Sequence, residues 1–252
     1  GPVLSQHLYG RPEWRPSCDL DLAIHPEASR RVFNLLTRLG YEPDTVSAPR
    51  TAREAEVIHF DWYMVHPETG LEVDVTPNVV NEPFPQQLSR LYFQSREVPQ
   101  SFHGQRVMLP APEVHYLYLA FHAARHRGER LQWKIDLQAL LDRNPDFDME
   151  KCRQLARDCR LTRVLDWAEA WRSPTSPFGL RWTTYESKDN LSDFFHLLRL
   201  HDGLRDKCRQ AWLSLFVPCH KDWMAFPPGT PRWRMQLYRY PRLLRKRLKM
   251  LS

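Results

Sequence analysis

The chain has 252 residues, a net charge of +6 and 42% hydrophobic residues, enough to bury a core and too apolar for a disordered segment. Its longest apolar runs, Val107–Pro110 and Leu117–Phe121, fall far short of the roughly 20 residues a membrane helix needs, and no leader peptide is expected at its start. Eight basic residues and no acidic one lie between Arg232 and Lys249, so the rest is close to neutral and offers no broad groove for a nucleic-acid backbone.

In chain order, Leu4–Leu8 reads as a short helix and Gly10–Pro16 as a turn region. Asp19–Ile24 alternates polar and apolar residues and predicts a strand with one buried face. His25-Pro26-Glu27 opens a helix whose apolar stripe is Val32, Leu35, Leu36 and Leu39, with Gly40 as its stop. A second strand is expected over Glu56–Val65, and the Pro67–Gly70 turn joins it to a third, Leu71–Thr76, as a hairpin. Val107–Leu109 is one more short strand. Helices are then expected at Pro112–Arg127, Leu131–Leu141, Met149–Cys159, Leu161–Ala170, Leu191–Leu198 and Leu204–Leu215. The fold class is therefore α+β: a small mixed β-sheet core with helical cover over 1–105, a mainly helical domain over 106–220, and a basic Pro/Trp/Arg-rich tail over 221–252.

Asp19 and Asp21 stand two apart on a predicted strand, so both side chains leave one face, about 7 Å apart at the backbone. Two acids on a face with apolar neighbours are costly unless a cation joins them, and Mg²⁺ favours carboxylate oxygens together with substrate phosphates. Asp74, or Glu72 on the same face of the third strand, supplies a third acid, as metal-assisted phosphoryl chemistry requires. On spacing alone, a solvated strand face carrying acids is the favoured reading.

Several blocks occur in order: Leu8-Tyr9-Gly10, Arg15-Pro16-Ser17-Cys18-Asp19-Leu20-Asp21-Leu22, Leu39-Gly40-Tyr41, Glu72-Val73-Asp74-Val75, His122-Ala123-Ala124-Arg125-His126 and Leu131–Leu137. Together they resemble the uncharacterised nucleotidyltransferase family within the DNA polymerase beta-like superfamily, over roughly residues 1–145. The resemblance implies that Asp19 and Asp21 are paired metal ligands and catalytic acids, with Asp74 as the third. It further implies Mg²⁺, with Mn²⁺ as a substitute, an NTP substrate with ATP foremost, and transfer of a nucleoside monophosphate to a hydroxyl or phosphate acceptor. Two positions depart from the family pattern. Gly1-Pro2 stands where a glycine and a small residue normally meet the triphosphate, and Thr76 stands where relatives often carry histidine.

Nucleotide contacts are expected from Gly1, Arg15, Ser17, His122, His126 and Lys134. His122 and His126 share one helix face, and three roles compete for them: core packing, phosphate contact, or metal binding with Asp136 as a further ligand. Trp133, Trp167, Trp171 and Trp212 sit among leucines and are expected in the core, while Trp223 and Trp233 flank Pro227-Pro228 as lid candidates. The five cysteines, Cys18, Cys152, Cys159, Cys208 and Cys219, form no Cys-x-x-Cys pair, which suits reduced thiols in the cytoplasm. The expected partners are an NTP and an unidentified small-molecule, peptide or protein acceptor. The competing functions are a catalytically degenerate nucleotide-binding or scaffold protein, and an RNA-binding or RNA-modifying nucleotidyltransferase acting through the basic tail, which is not favoured.

Overall fold

The computed structural model describes residues 1–17, 19–44, 49, 51–57, 61–80, 84–173, 190–216, 230, 233, 234 and 237. Cys18, Cys219, Trp182, Trp223, Pro227-Pro228 and most of the basic tail lie outside the described residues. A mixed α/β N-terminal region is followed by an all-helical C-terminal region.

The N-terminal region begins with α1 (Pro2–Tyr9), a 3₁₀ turn at Pro12–Trp14, and β1 (Asp19–Ala23). After a second 3₁₀ turn come α2 (Ser29–Arg38), β2 (Glu42–Pro43), α3 (Ala52–Val57), β3 (Trp62–Val65) and β4 (Glu72–Thr76). The four strands form one sheet in the order β1-β4-β3-β2. β1 runs parallel to β4, while β3 pairs antiparallel with both β4 and β2. The hairpin predicted around Pro67–Gly70 is present.

Alternation along the strands gives the sheet two unlike faces. Trp62, Met64, Val73 and Val75 are buried on one, against Phe33 and Leu36 of α2 and Ala55 of α3. The other face carries the acids. The apolar stripe of α2 differs from the expected one: Ser29, Phe33 and Leu36 are buried, while Leu35 and Leu39 are 47% and 58% exposed. The helix offers two overlapping apolar stripes, and the sheet takes the one that buries the Phe33 ring. A Schellman motif closes the helix. The Tyr41 amide donates to the Leu36 carbonyl, the Gly40 amide to that of Thr37, and Gly40 takes a φ of 87°.

The expected strand over Glu56–Val65 is corrected at its start, because Ala52–Val57 is helical. Thr51 and Glu54 form the sequence pattern of a capping box, and the Glu54 amide donates to Thr51 Oγ1 at 3.2 Å. Three further elements went unpredicted: β2, α4 (Gln87–Gln94) and β5 (Arg96–Phe102). β5 pairs antiparallel with β6 (Gln105–Pro110) in a separate two-stranded ribbon, its turn made by His103 and Gly104 with φ of 46° and 74°. Pro99 argues against a strand in sequence, but a two-stranded ribbon leaves an open edge on each strand where its missing N–H costs nothing.

The helices follow as α5 (Pro112–Arg125), α6 (Leu131–Arg143), α7 (Met149–Asp158), α8 (Thr162–Arg172), α9 (Asn190–Leu200) and α10 (Leu204–Phe216), each close to its predicted span. α5 is buried nearly all round, as the central helix of a bundle must be, and packs on α4, α6, α7 and α8. The core it organises also takes in Leu8 of α1, with Val79, Val80, Phe84 and Leu88. Trp133 and Trp171 are buried as expected and Trp167 is partly so, but Trp212 is 60% exposed. Cys152 and Cys159 are buried free thiols, pushed up to about 12 by burial. No helix among the described residues is long and apolar enough to cross a membrane.

Candidate active site

The parallel register of β1 and β4 settles which acids meet. Asp19 is the cross-strand partner of Glu72, and Asp21 of Asp74. On the other side of β4, Tyr63 of β3 is the partner of Asp74. Partners on adjacent strands share a face at roughly 4.8 Å spacing, so Asp19, Asp21, Glu72, Asp74 and Tyr63 project together. Asp61, two residues before Tyr63, joins them. Glu72 and Asp21 are exposed, whereas Asp19 and Asp74 are half-buried.

Asp74 is the most perturbed of these groups. Burial raises its pKa to about 7, reinforced by the charges of Asp61, Asp21 and Asp19 and opposed by a hydrogen bond from the Tyr63 hydroxyl. Tyr63 is itself pushed up to about 12, by burial first and then by Asp74 and Asp61. Oδ1 of Asp74 is buried without a hydrogen-bond partner.

Facing the acids is one side of α5. Tyr118 feels Asp21 and Asp61 on one hand and Arg125 on the other, and its pKa is raised, chiefly by burial. His122, one turn on, is held down to about 4 by burial and then by Arg125, Arg15 and Arg130, so it is neutral at pH 7. Its ring lies 4.9 Å from that of His126 and 4.9 Å from that of Trp133, and Arg130 lies over Trp133 at 5.7 Å. A carboxylate floor thus opposes a wall of aromatic rings and arginines.

Of the predicted nucleotide contacts, Gly1 opens α1 beside Asp21, with its nitrogen 3.4 Å from Oδ2 of that residue. Ser17 is exposed just before β1. Arg15 donates through Nε to both oxygens of Asp136, at 3.1 and 2.9 Å. Asp136 is 0% exposed and also receives the Tyr9 hydroxyl at 2.7 Å and Gln132 Nε2 at 3.1 Å. Asp136 therefore ties α1 and the segment after it to α6. Lys134 lines a hollow of about 650 Å³ between α1 and α6, beside Leu8, Tyr9, Arg143 and Arg172, and none of the sheet's acids border it.

Sequence reasoning missed Asp61, Tyr63, Tyr118, Arg125 and Arg130. A signal existed for the first two: the tight hairpin turn already puts Tyr63 opposite Asp74, and strand alternation adds Asp61. The arginines carry no such signal, because α5 and α6 reach the sheet only through tertiary packing.

Among the described residues, no group of three or more His, Cys, Asp or Glu side chains is drawn close enough to hold a metal ion between them. The donor chemistry nonetheless suits a hard divalent cation. Carboxylates share a face, those of Asp61, Asp21 and Asp19 disfavour the charge of Asp74, and one buried oxygen lacks any donor. A cation is what would relieve that repulsion. No curated protein and no solved structure shows a match to the chain. The family profile described as uncharacterised nucleotidyltransferase matches residues 1–168, two thirds of the sequence and the whole stretch that builds the acid face and the α5 wall, and the chain belongs to that family.

Proposed function

We propose that this chain is a divalent-metal-dependent nucleotidyltransferase of the DNA polymerase beta-like superfamily, moving a nucleoside monophosphate from an NTP to a hydroxyl or phosphate acceptor. The observation that carries this reading is the cross-strand pairing of Asp21 with Asp74, with Asp19 on the same face and one buried Asp74 oxygen without a donor. Asp19, Asp21 and Asp74 would hold Mg²⁺, or Mn²⁺ in its place, through carboxylate oxygens, with ATP as the foremost NTP. A cation bound there would make an attacking oxygen more nucleophilic and would offset charge on the departing pyrophosphate.

In the transfer, a bond forms between the acceptor oxygen and the α-phosphorus. The bridging bond to pyrophosphate breaks, and its electron pair leaves with the pyrophosphate. With a hydroxyl acceptor, the proton passes to the Asp74 carboxylate, whose pKa is raised to about 7. Arg15, Arg125 and Arg130 set positive charge opposite the acids, where three phosphates would otherwise repel the carboxylates. His122, neutral at pH 7, serves there as a hydrogen-bonding group instead of a fixed charge.

The test is binding of a fluorescent ATP analogue with and without Mg²⁺, read beside pyrophosphate release in the presence of cell extract. Affinity should depend on the cation and should vanish in the Asp19→Ala, Asp21→Ala double variant. Cation-dependent binding that survives in that variant would overturn the site.

A further inference from the structure

A second cavity, of about 410 Å³, lies at the carboxyl ends of β1 and β4, within the size range of small-molecule sites. His25 follows β1 and Asn78 follows β4, four residues beyond Asp21 and Asp74, which is roughly 13 Å along the strands. One face of α4 closes the other side with Gln86, Arg90, Phe93 and Gln94. The wall is anchored: Ser89 Oγ accepts from the Val80 amide and donates to Gln86 Oε1, and Gln86 Nε2 donates to the Phe84 carbonyl. The Phe93 ring meets His25 edge-on at 5.9 Å.

We infer that this cavity is the acceptor subsite, and that it takes a neutral, hydroxyl-rich molecule of the sugar or polyol class. This rests on the transfer reading given above. Two arguments carry it. The first is chemical. Asn78 and Gln94 border the cavity and their side chains end in primary amides, each of which both donates and accepts, as a hydroxyl does. Neither side chain has a hydrogen bond among the described residues. A carboxylate or phosphate acceptor would call for converging cations, yet among the described residues Arg90 is the one arginine or lysine bordering the cavity, and Glu27 stands 3.8 Å from His25. The second is geometric. In an in-line displacement the attacking oxygen approaches opposite the leaving pyrophosphate. Arg15, held on Asp136 of α6, and Arg125 of α5 draw the triphosphate to the α5–α6 side, leaving the α4 side to the acceptor.

The experiment is saturation-transfer NMR on the full chain, with myo-inositol and methyl α-D-glucopyranoside as neutral probes and gluconate as the anionic one. Mg²⁺–ATP affinity is measured in parallel. The neutral probes should bind, gluconate should bind no better, and an Asn78→Leu, Gln94→Leu double variant should weaken the neutral probes at least tenfold with Mg²⁺–ATP affinity unchanged. A Phe93→Ala variant, which leaves both amides in place, should weaken them less, and melting curves verify that each variant is folded. Absence of polyol binding, preference for gluconate, unchanged polyol affinity in the double variant, or loss of ATP affinity in its place would each overturn the assignment. A wild-type chain that binds polyols but no Mg²⁺–ATP would instead overturn the transfer reading, so the two failures are told apart.

Discussion

Two buried acids in this molecule have opposite surroundings. Asp136, fully enclosed on α6, receives hydrogen bonds from Tyr9, Arg15 and Gln132. Asp74, half-buried on β4, has one oxygen with no donor, and burial first, then three further carboxylates, raise its pKa to about 7. A buried charge is stable only when paired and hydrogen-bonded. Asp136 meets that requirement within the protein and acts as a structural clamp. Asp74 does not, and the deficit is what a bound cation and substrate would fill.

This contrast is breakable by mutation. Asp74→Asn should lower kcat/KM for nucleotidyl transfer by at least about a thousandfold, in line with losing a group that acts on charge in the transition state. The same substitution should raise the melting temperature of the cation-free protein near pH 8, because it removes a repelled carboxylate. A lowered melting temperature would mean that Asp74 is satisfied in the fold and that the comparison is misdrawn. Asp136→Ala should do the reverse, destabilising the fold by roughly 3–5 kcal/mol by leaving the Arg15 guanidinium without its partner, as denaturant melts would measure.

The dependence on pH follows from the same contrast. The Asp74 pKa is raised in the folded state, so the folded protein holds that proton more tightly than the unfolded chain does. Its contribution to stability is full below about pH 4 and is lost as pH rises towards 7, on the order of a few kcal/mol at most. Divalent cation should restore it, most effectively above pH 7, where the carboxylate is free to bind. Melting temperatures from pH 5 to 8 with and without Mg²⁺ would separate the two curves. A smaller effect is expected at Asp202, whose carboxylate accepts from the Thr162 and Arg163 amides at 2.8 Å each and so caps α8 from the α9–α10 connection. Asp202→Ala should cost about 1–2 kcal/mol and leave nucleotide affinity unchanged, a control for stability loss remote from the acids.

How much of this was legible beforehand depends on the range of the interaction. The pairing of Asp19 with Asp21 follows from a two-residue repeat, and the β3–β4 hairpin from a short turn; both are local. The span of α5 and the ends of α6 to α10 likewise follow from apolar periodicity and from glycine and proline punctuation. The capping box at Thr51 and Glu54 was equally local, and it argues for α3 where a strand was expected. Arg15 shows the opposite case. Its charge and position before the acids suggested a phosphate contact, and nothing local showed that its Nε also binds a carboxylate 121 residues away.

By itself, then, the sequence determined the acid pair, the alternation that aims it, and the change from sheet to helices, because each depends on backbone geometry repeating over a few residues. The tertiary structure decided which strand lies beside β1, and hence that Asp74 faces Asp21 while Glu72 faces Asp19. It also decided that α5 brings Tyr118 within reach of Asp21 and Asp61, with His122 and Arg125 further along the same helix, and that Asp136 is spent on holding α1 to α6. Strand register and helix docking are set by burying side chains far apart in the chain, and no short-range pattern encodes them.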